Sequence, residues 1–194
     1  MDQKQADIGK GPQPRPGGRA ARIQAAVFKA VDDLTQEGEP AELTVPAIAA
    51  RAGVTPSTIY RRWGSLAQLL SDVAVKRLRP DAEPDDSGDW RADLKGWLVQ
   101  YAEEMASDPG RAMMRDVLSA DRTDNACVCS AYTGQQLDVI RARALAKGDT
   151  PPDTGVLMDK VIAPVIYRIL FSRTPPEADY VAGLVEDVLG KAGE

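Results

Sequence analysis

Between positions 57 and 62 the chain gathers Ser57, Thr58, Tyr60, Arg61 and Arg62. Two hydroxyls, a phenol and two guanidinium groups packed so closely suit one chemistry, the holding of anions in a fixed frame. Hydroxyls and arginines bond phosphate oxygens, and arginine also reads guanine edges in a major groove. Nothing nearby turns these groups to catalysis. The chain has no histidine, which removes His-based triads, imidazole general bases and His metal sites. Glu103 and Glu104 are available acids, but no paired-carboxylate or nucleophile constellation stands out. The sequence reads as a binding protein rather than an enzyme, with no metal and no cofactor.

The segment TVPAIAARAGVTPSTIYRRW, residues 44–63, has the pattern needed to present that face. Thr44 suits an N-cap, and Pro46 falls in the first helical turn, where a missing N–H costs little. Ile48, Ala49 and Ala52 form an apolar stripe. Gly53 falls where a helix end wants a left-handed residue. Val54 fills the angle, Thr55 caps again, and Pro56 takes the first position of a second helix. Ile59 and Trp63 turn inward, leaving the polar set outside. Two short helices with a small residue at the contact and a glycine turn make a helix-turn-helix.

The segment resembles the DNA-binding domain of the tetracycline-repressor (TetR) family. The matching residues are Thr44, Val45, Ile48, Ala49, Ala52, Gly53, Val54, Thr58, Ile59, Tyr60 and Trp63. The resemblance covers about residues 19–78 well and the rest by length and helical pattern. It implies an all-α protein: a three-helix N-terminal helix-turn-helix domain plus a helical ligand-binding and dimerisation domain. It further implies a ligand-responsive regulator, most simply a repressor, binding a palindromic operator in double-stranded DNA as a homodimer. One departure stands out. The family carries a lysine at the start of the next helix, where it touches a phosphate. Here that position is Leu66.

Charge is divided along the chain. The net of −5 looks wrong for a DNA binder. Residues 1–79, however, hold 12 Lys+Arg against 8 Asp+Glu, a net of +4. Residues 80–194 hold 12 against 21, a net of −9. The basic half contains the helix-turn-helix, and the acidic half would be repelled by DNA, which helps orient the approach.

Three regions are expected: a disordered, mildly basic arm over 1–18, the DNA-binding domain over 19–79, and an effector-binding and dimerisation domain over 89–194. In the second region, Ile23, Ala26, Val27, Ala30, Val31 and Leu34 recur at helical spacing. Arg19 and Arg22 sit at the start of that helix, where cations oppose its dipole and a phosphate would relieve them. The expected DNA contacts are Arg19, Arg22, Thr44, Thr55, Pro56, Ser57, Thr58, Tyr60, Arg61 and Arg62. Two such helices on a dimer, about 34–36 Å apart, would enter successive major grooves.

In the third region Trp97, Tyr101, Met105, Met113, Met114 and Tyr132 are the expected lining of a pocket for a small apolar effector, since methionines and aromatics make adaptable apolar sites. Residues 154–172 are apolar on more than one face, with Pro164 expected to kink them. Residues 178–190 carry one clean stripe. The run Pro164–Phe171 also resembles the family's penultimate helix, which with the last helix makes a dimer bundle. Val161, Val165, Ile169, Val181, Val185 and Val188 are the interface residues this implies.

No apolar run approaches the roughly 20 residues of a membrane span, and the N-terminus has no apolar core of a signal peptide. The cytoplasm is the expected location. Two alternatives remain: a redox-responsive regulator acting through Cys127 or Cys129, and a small-molecule-binding protein with a vestigial DNA domain. The two cysteines, two apart on a helix, point to different faces and should not bond each other.

Overall fold

The computed structural model describes residues 18–37, 43–120 and 124–191. The arm expected over residues 1–18 lies, Gly18 apart, outside them. Every regular element among the described residues is helical. The chain divides into two compact units, residues 1–66 and 67–194.

The first unit holds α1 (Arg19–Glu37), α2 (Val45–Ala52) and α3 (Pro56–Trp63). α1 buries Val27, Phe28, Ala30 and Val31, the stripe its spacing predicts. α2 buries Val45, Ile48 and Ala49, and α3 buries Ile59 and Trp63. The Phe28 and Trp63 rings meet with centroids 6.2 Å apart. Thr44 caps α2, its hydroxyl accepting from the Ala47 N–H at 3.3 Å. At the other end Gly53 adopts φ 67°, ψ 31°. The Val54 N–H then reaches the Ala49 carbonyl at 3.0 Å and the Gly53 N–H the Ala50 carbonyl at 3.3 Å. Those two bonds satisfy carbonyls that a helix end leaves open. A side chain at position 53 would meet no neighbouring atom but would be held in a backbone region L-residues avoid. Arg51 clamps Glu37 with two bonds, 3.0 and 2.6 Å long, tying α2 to the end of α1.

The second unit takes α4 (Leu66–Leu78) from Ala67 onward. It continues with α5 (Trp90–Ala106), α6 (Asp108–Ser119), α7 (Asp124–Ala146), α8 (Thr154–Leu157), a π-turn (Met158–Ile162), α9 (Ala163–Phe171) and α10 (Ala178–Lys191). α5 runs through the middle, touching α6, α7, α9 and α10. Trp90, Leu94, Leu98, Ala102 and Met105 on α5 pack with Leu137, Ile140 and Ala144 of α7.

The π-turn has a local cause. Proline has no N–H to donate and its ring crowds the preceding turn. With Pro164 at the second position of α9, the chain widens just before it, and the Ala163 N–H reaches back to the Met158 carbonyl. The expected kink is thus a one-turn bulge.

The six residues expected at a dimer interface lie inside the single chain. Val161, Val165, Ile169, Val181, Val185 and Val188 are between 0% and 8% exposed in the single chain. They pack with residues of α5 and α7 in one hydrophobic cluster, so they serve the core of the single chain. The outward face of α9 is carried by Tyr167 and Phe171, 64% and 72% exposed, whose rings lie 5.1 Å apart.

A close approach joins α5 to α6. Ser107 ends one helix and starts the next, its hydroxyl donating to the Glu104 carbonyl at 2.6 Å and accepting from the Gly110 N–H at 3.1 Å. A Cβ at Gly110 would lie 2.1 Å from the Glu104 carbonyl oxygen.

Candidate nucleic-acid interface and effector cavity

α3 presents the polar face that its spacing predicts. Pro56, Ser57, Tyr60 and Arg61 are exposed and Thr58 is half-buried, while Ile59 and Trp63 anchor the opposite side. Tyr60 is 51% exposed, a large aromatic held in solvent. Thr55 occupies the N-cap position, but its side chain makes no cap bond. Its hydroxyl lies 2.9 Å from that of Ser57 and 3.0 Å from that of Thr58, so three hydroxyls cluster where the helix dipole is positive. Such a cluster, at backbone amides facing outward, suits a phosphate.

Arg61 and Arg62 part company. Arg62 donates to the Ala20 carbonyl at 3.2 Å and to Gln24 Oε1 at 2.6 Å, and its guanidinium lies 5.2 Å from the Trp63 ring. It holds α3 against α1. Arg61 is exposed and is not drawn into that clamp. Arg19 and Arg22 are exposed at the start of α1, whose first turn carries no acid. Thr44 is exposed but its hydroxyl is engaged in capping α2. Leu66, at the family's lysine position, is half-buried at the start of α4.

The second unit contains a cavity of about 1520 Å³. All six residues expected from sequence line it: Trp97, Tyr101, Met105, Met113, Met114 and Tyr132. Trp97 and Tyr101 stack with centroids 5.4 Å apart and planes 19° from parallel. Burial pushes the Tyr101 phenol above its ordinary pKa, with the Thr133 hydroxyl bonded to it working the other way.

Other lining groups escaped the sequence reading. Cys129, Thr133 and Gln136 lie on the face of α7 that carries Tyr132, and Gln100 and Glu104 on the face of α5 that carries Trp97. Helical spacing from the two aromatics would have found them. The wall formed by Pro80–Asp85 and Ser87 had no such signal, because a loop has no period. That wall is strapped from α7. Arg143 donates to the Pro84 and Asp85 carbonyls, at 2.7 and 3.1 Å, and to Glu83 Oε2 at 2.8 Å. Lys147 donates to the Gly88 carbonyl at 3.0 Å.

Both cysteines are free thiols, Cys127 exposed and Cys129 half-buried. Burial raises the Cys129 pKa, which keeps it protonated and a poor nucleophile. The redox alternative through Cys129 loses support accordingly.

Residues 30–73 match the sequence profile described as bacterial regulatory proteins, tetR family. Residues 84–188 match that of the tetracyclin repressor-like C-terminal domain. The chain belongs to the TetR family. It is a DNA-binding transcriptional regulator. The uncharacterized HTH-type transcriptional regulator Rv1556 of Mycobacterium tuberculosis is 30% identical over 172 residues, covering 80% of each chain. The uncharacterized HTH-type transcriptional regulator YdeS of Bacillus subtilis is 25% identical, covering 82% of this chain and 84% of its own. Among solved structures, the TetR family transcription regulator SCO0332 superposes with a TM-score of 0.63 at 26% identity, covering 87% of this chain and 97% of that one. TetR-family regulators bind DNA as dimers, and the family is one of regulators rather than enzymes. No described helix is long and apolar enough to cross a membrane.

Proposed function

We propose that this TetR-family regulator is a repressor that binds a palindromic operator as a homodimer and lets go when a small, largely apolar effector fills the cavity of its second unit. The reading rests chiefly on α3, where Tyr60, Arg61, Thr55 and Ser57 stand in solvent with no packing task to account for them and the half-buried Thr58 completes the hydroxyl cluster. A domain with a vestigial DNA-binding motif has no reason to keep such a face. Arg61 and Tyr60 contact phosphates or base edges, and the hydroxyl cluster seats a phosphate. Arg19 and Arg22 extend the contact along the backbone. In the dimer, the outward side of α9, with Tyr167 and Phe171, meets its own copy.

The cavity supports ligand response. Stacked aromatics and four methionines, Met105, Met113, Met114 and Met158, line it, and such walls adapt to a guest.

Selection of bound sequences from random duplexes tests the proposal. The winners should be palindromes whose half-site centres lie about one helical turn apart, and affinity should fall steeply with salt. The Tyr60→Ala, Arg61→Ala double variant should lose operator binding while remaining dimeric. Retention of full affinity in that variant would remove α3 from the interface.

A further inference from the structure

The charge of the cavity wall identifies the kind of effector, given the effector-binding reading above. Among the described residues, Asp81, Glu83, Asp85, Asp93, Glu104 and Asp159 line it, against Arg77 and Arg79. These carboxylates come from three places: the strapped loop, α5 and the π-turn. Asp93 is half-buried and the other five are exposed, so they give the open side of the cavity an excess of negative charge.

Their partners leave most of the charge uncancelled. Glu83 is neutralised by Arg143 at 2.8 Å. Asp93 accepts from the Ser87 N–H and hydroxyl at 3.2 and 2.6 Å. Glu104 accepts from the Gln100 amide at 2.8 Å. The last two are neutral donors, which fix a carboxylate in place and leave its negative charge. The rest of the wall is suited to a large apolar body: the Trp97–Tyr101 stack and the methionines. Aromatic faces attract a desolvated cation, and carboxylates over low-dielectric walls focus a negative potential into the space. An anion of the same size would meet net repulsion from this excess of carboxylates.

We propose that the effector is a lipophilic cation, a bulky aromatic molecule carrying a delocalised or quaternary positive charge. The aromatic stack and methionines hold its body, and Glu104 of α5 and Asp159 of the π-turn supply its counter-charge.

Tetraphenylphosphonium and tetraphenylborate test this directly, being nearly the same size and shape with opposite charge. Binding to the full-length dimer is followed by quenching of tryptophan fluorescence and by calorimetry, with triphenylphosphine oxide as the neutral probe. Tetraphenylphosphonium should bind at least about tenfold tighter than tetraphenylborate, by the difference in charge interaction alone. The Glu104→Gln, Asp159→Asn double variant should lose most of that preference. A second double variant, Glu186→Gln with Asp187→Asn, removes the same charge from exposed positions on α10 away from the cavity and should keep the preference. Equal loss in both variants would make the attraction a property of the acidic surface and overturn the proposal. Tighter binding of tetraphenylborate or of the neutral probe would overturn it too, while leaving the effector reading intact. Failure of all three probes to bind would count against both.

Discussion

Arg62 and Gln24 are joined by a 2.6 Å hydrogen bond that lashes the last turn of α3 to α1. The neighbouring Arg61 has the same chemistry and stands in solvent. The two arginines should therefore fail differently. Arg61→Ala should leave the melting temperature unchanged, weaken operator binding, and lower the salt slope by about one. Arg62→Ala should cost about 1 kcal/mol of stability through lost hydrogen bonds and weaken DNA binding as α3 loosens. Thermal melts with binding isotherms at several salt concentrations distinguish them; identical behaviour of the pair would refute the division.

Gly110 permits α6 to lie against the end of α5. A methyl group on its Cα would stand only 2.1 Å from the Glu104 carbonyl oxygen, so Gly110→Ala must push the helices apart. The expected cost is about 1–3 kcal/mol, typical of overpacking. Because Met113 and Met114 follow on α6 and line the cavity, effector affinity should change with it. Gly53→Ala, strained by φ 67° but free of any clash, should cost about 1 kcal/mol and leave effector binding alone.

Tyr167 and Val165 lie two residues apart on α9 and face opposite ways. Tyr167→Glu with Phe171→Glu should yield a folded monomer at micromolar concentration, measured by sedimentation. Val165→Ala should remain a dimer and lose about 2 kcal/mol of stability through the cavity left in the core. The reverse pattern would restore the interface that the sequence alone suggested.

Two carboxylates should carry pH dependence of opposite sign. Burial raises the pKa of Asp116, against the pull of Arg77 and Arg115. Its folded value lies above its unfolded one, so it favours the fold when protonated and loses that contribution as pH rises through the folded value. Asp116→Asn should raise the melting temperature at pH 7 and give no gain in acid. The bond from Arg51 lowers the pKa of Glu37. Its contribution is present above the unfolded pKa and disappears as pH falls through the folded one. Glu37→Gln should be slightly destabilising at neutral pH and neutral in effect in acid. Melts of both variants between pH 3 and 7 check the signs.

The helix-turn-helix was legible because each of its signals is local. Thr44, Gly53, Pro56 and the Ile59–Trp63 spacing report on bonds within a few residues, and all four stand where the pattern placed them. The cavity aromatics and methionines were legible by type. Three assignments depended on distant or competing residues and were not. The destination of Arg62 required α1 beside it. Thr55 had two hydroxyl neighbours competing for its side chain, and they displaced the expected cap bond. The valine stripes of α9 and α10 have the same period whether they meet each other and α5 or a second chain, so periodicity could not choose. Burial did.

The π-turn at Met158–Ile162 is in effect a single-residue insertion stored inside a helix. Met158 and Asp159 on that bulge belong to the cavity wall, whereas Tyr167 and Phe171 downstream look outward. Rewinding it as ordinary α-helix with no residue removed would swing everything after it by about 100° around the axis, turning Val165 and Ile169 out of the core. The azimuth of the α9 aromatics is thus written in the same few peptide units that border the guest, and any repair of the bulge would change both surfaces at a stroke.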